Sequence, residues 1–332
     1  MQTFDKIVLD STGAFLISEL EKLDLTLHEP LIAVTWSRDV DLREDVSIAD
    51  DASSFTNSTF AATGGFTSTG KNFIGRDSNA IPGIGLDIGK TSAPLFLWGM
   101  EVSYTIPELI AAQQLGRSVD TQKYEGMQKK YQMDIDEMVY IGDTSLVRYG
   151  LVNSTQVTTG FVSTKASGFT QWIPSALNGF VGATADEILN DINSLIQTAW
   201  SNAAFVVCPS KLLLPPAQFA YIISQKVSTA GNISIKNFLE DNCISLSVNG
   251  KKLDIQPLKW LTGRGVAAGS PSAATDRMVA YTQDRNRVRY PLVPLQRTPL
   301  EFRSLYHITT YFGKLGCVEV VYPETLLYRD GI

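Results

Sequence analysis

The sequence predicts an α+β fold. Three observations carry that reading. A helical pattern runs from Ile106 to about Tyr140, and a second amphipathic stretch covers Ala185 to Trp200. The remaining apolar runs are strand-like and do not alternate regularly with helices, which separates this chain from a parallel α/β protein. With 332 residues, 44% apolar and 19% charged, the chain has enough apolar material for a sizeable core in one large domain or two modest ones.

The elements follow in order. Phe15, Leu16, Leu20, Leu23 and Leu27 recur at spacings of three and four, predicting a short amphipathic helix that ends before Pro30. Leu31 to Trp36 reads as a strand. Ala52 to Pro82 is rich in Ser, Thr, Gly, Asn and Ala, with Phe55, Phe60, Phe66 and Phe73 spaced through it. A compact domain rarely carries such a segment as plain loop. The expectation is a loop held on another surface by its phenylalanines, with Phe66 and Phe73 as anchors on a neighbouring subunit. Leu95 to Thr105 suits a buried strand. Pro107 and Glu108 then open the long helix, since proline fits a first turn and an acid complements the positive helix end. Gly116 and Ser118 are places for a bend, and Gly142 fits a C-terminal cap. Tyr149 to Asn153 reads as a turn. Thr184 caps the helix from Ala185 to Trp200. Ala204 to Cys208 reads as a buried strand. Short helices are expected over Ala217 to Lys226 and Ile235 to Asp241, and a strand over Leu253 to Trp260. Leu261 to Thr275 is a small-residue loop. The strands Met278 to Thr282, Arg287 to Tyr290, Leu305 to Phe312 and Cys317 to Tyr322 complete the chain.

No constellation supports an enzyme, a cofactor or a metal. Cys208, Cys243 and Cys317 lie far apart, and the two histidines, His28 and His307, share no motif. Gly83 to Ser92 imitates a phosphate-binding loop, but the first glycine of that motif falls on Ile84. Asp134, Asp136 and Glu137 read as a solvated or interfacial helix face, because residues two apart on a helix do not face one another. No run is long enough to cross a membrane, and no basic start leads into an apolar stretch. The net charge of -6 argues against a protein whose main task is gripping nucleic acid. Its distribution says more. Up to Asp51, twelve acids stand against four bases; from Lys259 to Arg303, eight bases stand against three acids. The acids Asp39, Asp41, Glu44 and Asp45 and the alternating Arg285, Arg287 and Arg289 are therefore candidates for contacts between subunits.

One block resembles a known family. From Tyr104 to Asn153 it carries a YT-x-x-EL start, a D-E-x-x-x-x-GD end and a GLVN turn, and the closing Gly316 to Ile332 block matches as well. These residues resemble the major capsid proteins of tailed bacteriophages with the HK97-type fold, nearest the DUF2184 group. The resemblance implies an N-terminal arm with a first strand over 1–51 and an extended loop over 52–90. It implies a peripheral domain with a spine helix over 91–184 and 294–332, and an axial domain over 185–293 whose loop 261–275 lines the centre of a hexamer or pentamer. It further implies self-assembly into an icosahedral shell around double-stranded DNA, in the virion, after assembly in the bacterial cytoplasm. Partners would be other copies of the chain, a separate scaffolding protein, and portal and decoration proteins, with no cofactor. Other readings are a nanocompartment shell of the same fold, an intracellular hydrolase, and a tail or adhesin protein.

Overall fold

The architecture is that of a computed structural model, which describes residues 32–63, 72, 74, 76, 81, 83–114, 119–174, 181–228, 232–268 and 270–332. The helix expected over 15–27, the anchors Phe66 and Phe73, His28, and the bend at Gly116 and Ser118 lie outside the described residues.

The strands, in chain order, are β1 (Asp41–Arg43), β2 (Ala52–Thr63), β3 (Gly83–Pro94), β4 (Phe96–Thr105), β5 (Thr158–Phe161), β6 (Lys211–Leu214), β7 (Asp254–Pro257), β8 (Gly265–Ala267), β9 (Ser270–Thr275), β10 (Arg277–Tyr281), β11 (Val288–Arg297), β12 (Glu301–Arg303), β13 (Tyr306–Leu315), β14 (Glu319–Val320) and β15 (Leu326–Asp330). The helices are α1 (Trp36–Asp39), α2 (Ile106–Gln114), α3 (Val119–Tyr140), α4 (Ala185–Asn202), α5 (Pro216–Ser224), α6 (Ile235–Asn242) and α7 (Ile244–Asn249).

A five-stranded sheet, ordered β5-β15-β10-β6-β7, forms the centre. Its inner strands are buried along their whole length, and their two-residue period divides them between two cores. Leu212, Leu214, Met278, Ala280 and Leu327 face a core shared with Ile188, Ile192, Leu195 and Ile196 of α4. Leu213, Val279, Tyr281, Leu326 and Tyr328 face the opposite core, shared with Tyr131, Ile135, Val139 and Tyr140 of α3. The apolar runs in β6 and β10 are thus unbroken because both sheet faces are covered. A second, six-stranded sheet holds β13 at its centre: β4 runs antiparallel along all ten residues of β13, and β11 and β12 lie on its other side.

The helix α3 is 22 residues long, about 33 Å at 1.5 Å per residue. Its end is closed by the expected turn. Gly142 takes φ +73° and donates to Glu137 O. The next carbonyls accept from the GLVN turn: Leu151 N to Val139 O at 2.8 Å, Val152 N to Tyr140 O at 3.1 Å, and Asn153 Nδ2 to Ile141 O at 2.8 Å. Helix ends leave carbonyls without intrahelical partners, and this motif supplies them. A Cβ at Gly150 would sit 2.4 Å from Tyr140 O, so the turn requires glycine there. The helix α4 begins with a full capping box between Thr184 and Glu187.

Several expectations are corrected. Of the strand expected over Leu31 to Trp36, the described residues 32–35 form no ladder and α1 begins at Trp36. The amides of Thr35 and Trp36 both donate to Asp136 Oδ1, so their hydrogen bonds go to a distant helix rather than to a neighbouring strand. The strand over Ala204 to Cys208 is a turn, with Ala204 and Phe205 in the left-handed region, and the strand position is taken by β6. The strand over Leu253 to Trp260 stops at Pro257 and continues as a 3₁₀ turn. The loop over Leu261 to Thr275 contains the two-stranded ribbon β8–β9. Between Cys317 and Tyr322 only β14 pairs. The strands β5 and β15 join the sheet of β6, β7 and β10, and β11 spans residue 293.

Candidate functional site

The long Gly/Ser/Thr segment is the most informative surface. It is not a plain loop: β2 and β3 pair antiparallel in unbroken register from Ala52 opposite Pro94 to Thr63 opposite Gly83. Twelve-residue strands extend about 40 Å. Small β-compatible residues with no room for a core suit a ribbon that has no layer beneath it. Its base is fastened. Ser53 hydrogen-bonds Glu319, Arg43 reaches Ser54 O, and Lys314 Nζ contacts Asp50 O at 2.8 Å and Asp51 at 3.0 Å. Beyond that base the described side chains are exposed, and one face is apolar. Ile84, Leu86 and Ile88 alternate along β3, and Phe60 lies directly opposite Leu86, so all four share a face. They are 77%, 56%, 62% and 66% exposed. An isolated two-stranded hairpin is at best marginal in water, and a contiguous apolar patch on a soluble subunit marks an interaction surface.

The imitation phosphate loop falls inside β3. Gly89 lies opposite Asn57 and Lys90 opposite Thr56, so the segment is extended ladder rather than a cradle of free amides.

The acidic and basic segments do meet, but within one chain. The strand β1 lies parallel to β11 with Asp41 opposite Arg289. Arg289 Nε and Arg43 Nη1 both bind the buried Glu319, at 2.7 and 3.2 Å, and Arg287 binds Asp284 at 2.7 Å. Arg43 also binds Asp45 at 2.8 Å, and this hydrogen bond holds the Asp45 carboxyl below its usual range. Asp39 is fully buried between Arg38, Lys211 and the Tyr140 hydroxyl. Burial first, and Asp39 second, push the Tyr140 phenol far up, so it stays a neutral donor. Of the seven charged candidates, Glu44 and Arg285 are the exposed ones without a partner among the described residues.

Sequence reasoning misjudged Asp136. It is buried, not part of a solvated face, and it also accepts from Trp260 Nε1 at 2.8 Å. Asp134 accepts from Trp98 Nε1 at 2.9 Å, while Glu137 is exposed.

Nothing described is arranged as a nucleophile. Cys208, Cys243 and Cys317 are buried free thiols, and burial pushes Cys208 and Cys317 up to about 11, away from the reactive thiolate. His307 packs against the Phe302 and Tyr104 rings at 4.6 and 5.8 Å. Among the described residues no group of His, Cys, Asp and Glu could hold a metal ion, and no helix is long and apolar enough to cross a membrane.

Comparison with known proteins agrees with a subunit made to associate. No curated protein matches the sequence. In three dimensions the chain is similar to the capsid of Myoviridae phage XM1, at 15% identity and a TM-score of 0.73, covering 95% of this chain and 98% of that one. It is also similar to the capsid of the native GTA particle, at 10% identity, a TM-score of 0.59 and 97% of each chain. A third likeness is to the virus-like particle from Pyrococcus furiosus, at 10% identity and a TM-score of 0.51, covering 98% of this chain and 100% of that one. At such identities the likeness shows the fold. The family described as "Major capsid protein" matches residues 70–332. That segment holds β3, the spine helix α3 and every strand of both sheets except β1, so this chain, with its α+β fold of HK97 type, belongs to the major capsid protein family.

Proposed function

We propose that this chain assembles through hexamers and pentamers into the icosahedral shell of a tailed phage and encloses double-stranded DNA without reading its sequence. The observation that carries this reading is the uncovered apolar stripe on the β2–β3 ribbon. A ribbon without its own core gains stability by lying on a second copy, and burying four large apolar side chains contributes about 1.5–3 kcal/mol for each one fully covered. The family match supports the structural role, and the likeness to a phage capsid supports the phage assignment. A net charge of -6 suits a container that does not stick to its nucleic acid.

In this reading the peripheral domain, 91–184 and 294–332, holds α3, β4 and β13. The axial domain, 185–293, holds α4 to α7 with β6, β7 and β10, and the small-residue ribbon β8–β9 points to the ring centre. Scaffolding, portal and decoration proteins complete the particle, which assembles in the host cytoplasm. Electron microscopy of the purified protein tests the proposal. Closed polyhedra or ring-shaped capsomers are expected, and tubes or a monodisperse monomer at all concentrations would remove it. Nuclease-protected DNA in particles from infected cells is the second expected result, and protein cargo in its place would favour a nanocompartment.

A further inference from the structure

A second surface includes no ribbon residue, and the sequence placed its apolar part inside the protein. The run Ala204 to Cys208 reads as a buried strand, yet residues 203–206 form an outward turn with Ala204 at φ +50° and Phe205 at φ +61°. Left-handed backbone at non-glycine residues is costly and persists only where the surroundings impose it. Here Trp200 imposes it: its indole Nε1 donates to Phe205 O at 3.0 Å, and its ring meets the Phe205 ring edge-on at 5.0 Å. The result is a fixed knob. Phe205 is 60% exposed and Val206 79%. Beside the knob is a groove of about 600 Å³, lined by Asn202, Val207, Asp284, Asn286, Tyr322 and Glu324 among others.

Charge frames this groove. Asp284 is occupied by Arg287 and by the Asn286 amide. Arg285 and Glu324 are exposed and have no ion-pair or hydrogen-bond partner among the described residues. Glu324 lines the groove, and Arg285 sits in the chain between its lining residues Asp284 and Asn286; Val321 N donates to Arg287 O at 2.8 Å and ties the two turns together. Among the described residues this surface thus carries an apolar knob, a groove, and the unpaired Arg285 and Glu324.

We infer that this surface is a contact between two copies of the chain, with the Phe205–Val206 knob of one copy entering the groove of the other and Arg285 of one meeting Glu324 of the other. A knob beside a hole is complementary to itself when a second copy is turned onto it, and an apolar centre with a polar, charge-matched rim is the ordinary make-up of an association surface. The inference rests on the shell-forming reading, and adds a contact that the ribbon does not make.

The test uses the full-length chain in an assembly titration followed by light scattering and electron microscopy. The variants are Val206→Asp, Arg285→Glu and Glu324→Arg. All three positions are exposed, so each variant should keep the unfolding midpoint of the wild type. Each alone should raise the threshold concentration for shells by on the order of tenfold, since like charges facing one another across a contact oppose association. An equimolar mixture of Arg285→Glu and Glu324→Arg subunits should return the threshold to within about twofold of wild type, because opposite charges then face again only between unlike copies. Folded variants that assemble at the wild-type threshold, or a mixture no better than either component, would overturn this contact while leaving the shell intact. Absence of shells from the wild-type chain would overturn the shell reading, and the contact with it.

Discussion

Asp136 shows how one side chain decides a local structure. Its carboxylate takes the amides of Thr35 and Trp36 and the Trp260 indole, joining three segments far apart in sequence. Asp136→Ala would leave three N–H donors without their acceptor and should cost about 3 kcal/mol in chemical unfolding, with Asp136→Asn costing less. Gly150→Ala should cost more than about 2 kcal/mol, because its Cβ meets backbone that cannot move without opening the α3 C-terminus. Glu187 gives a pH dependence. The Ala166 amide, then the Thr184 amide, hold its carboxyl below the usual glutamate range. A depressed acid adds stability above its unfolded pKa of about 4.3 and loses it as pH falls through the lower folded value. The wild-type unfolding midpoint should therefore drop on acidification below about pH 4.3, and Glu187→Gln should flatten that drop. The group is mostly exposed, so the effect stays below about 1 kcal/mol. The cap at Thr184 was legible, whereas its reciprocal bond with Glu187 and the burial of Asp136 were not. Helical spacing tells which residues share a face, but only the fold tells whether another segment covers that face.

At the scale of elements, the ribbon and the helices had different legibility. The periods of α3 and α4 are written in their own residues, as are the Gly142 cap and the GLVN turn. The pairing of β2 with β3 was not legible, because β2, rich in Ser, Thr and Ala, carries no apolar alternation to set its register against Ile84, Leu86 and Ile88. Only the partner strand reveals it. The stripe of Phe60, Ile84, Leu86 and Ile88 leads to a direct expectation. The triple variant Ile84→Ser, Leu86→Ser and Ile88→Ser should fold with an unchanged unfolding midpoint, since these side chains touch no core, yet fail to form shells in the same titration. Loss of the fold instead would place the stripe inside the subunit. The knob at Phe205 is the reverse case: an apolar run that local rules place inside, turned outward by Trp200.

For the whole molecule, the division between a covered centre and an uncovered arm should appear in hydrogen exchange. Amides of β6, β10 and β15 should be the slowest in isolated subunits, being buried on both faces. Amides at the outer part of β2 and β3 should be faster in the subunit and slow markedly on assembly; equal protection in both states would count against the ribbon as an assembly element. High salt should spare the subunit, because the ion pairs of Asp39, Glu319 and Asp330 are buried and little screened. The sequence by itself determined the α+β class, the spine helix and its closing turn, and the block that resembles capsid proteins. These depend on periodicity and on residues near one another in the chain. Tertiary structure alone decided that β5 and β15 complete the central sheet, that β1 of the acidic segment lies beside β11 of the basic one while Arg43 and Arg289 share the distant Glu319, and that two apolar surfaces stay exposed among the described residues. Those outcomes depend on which distant segments meet, and no local spacing encodes that; they follow from the free energy of covering one element with another.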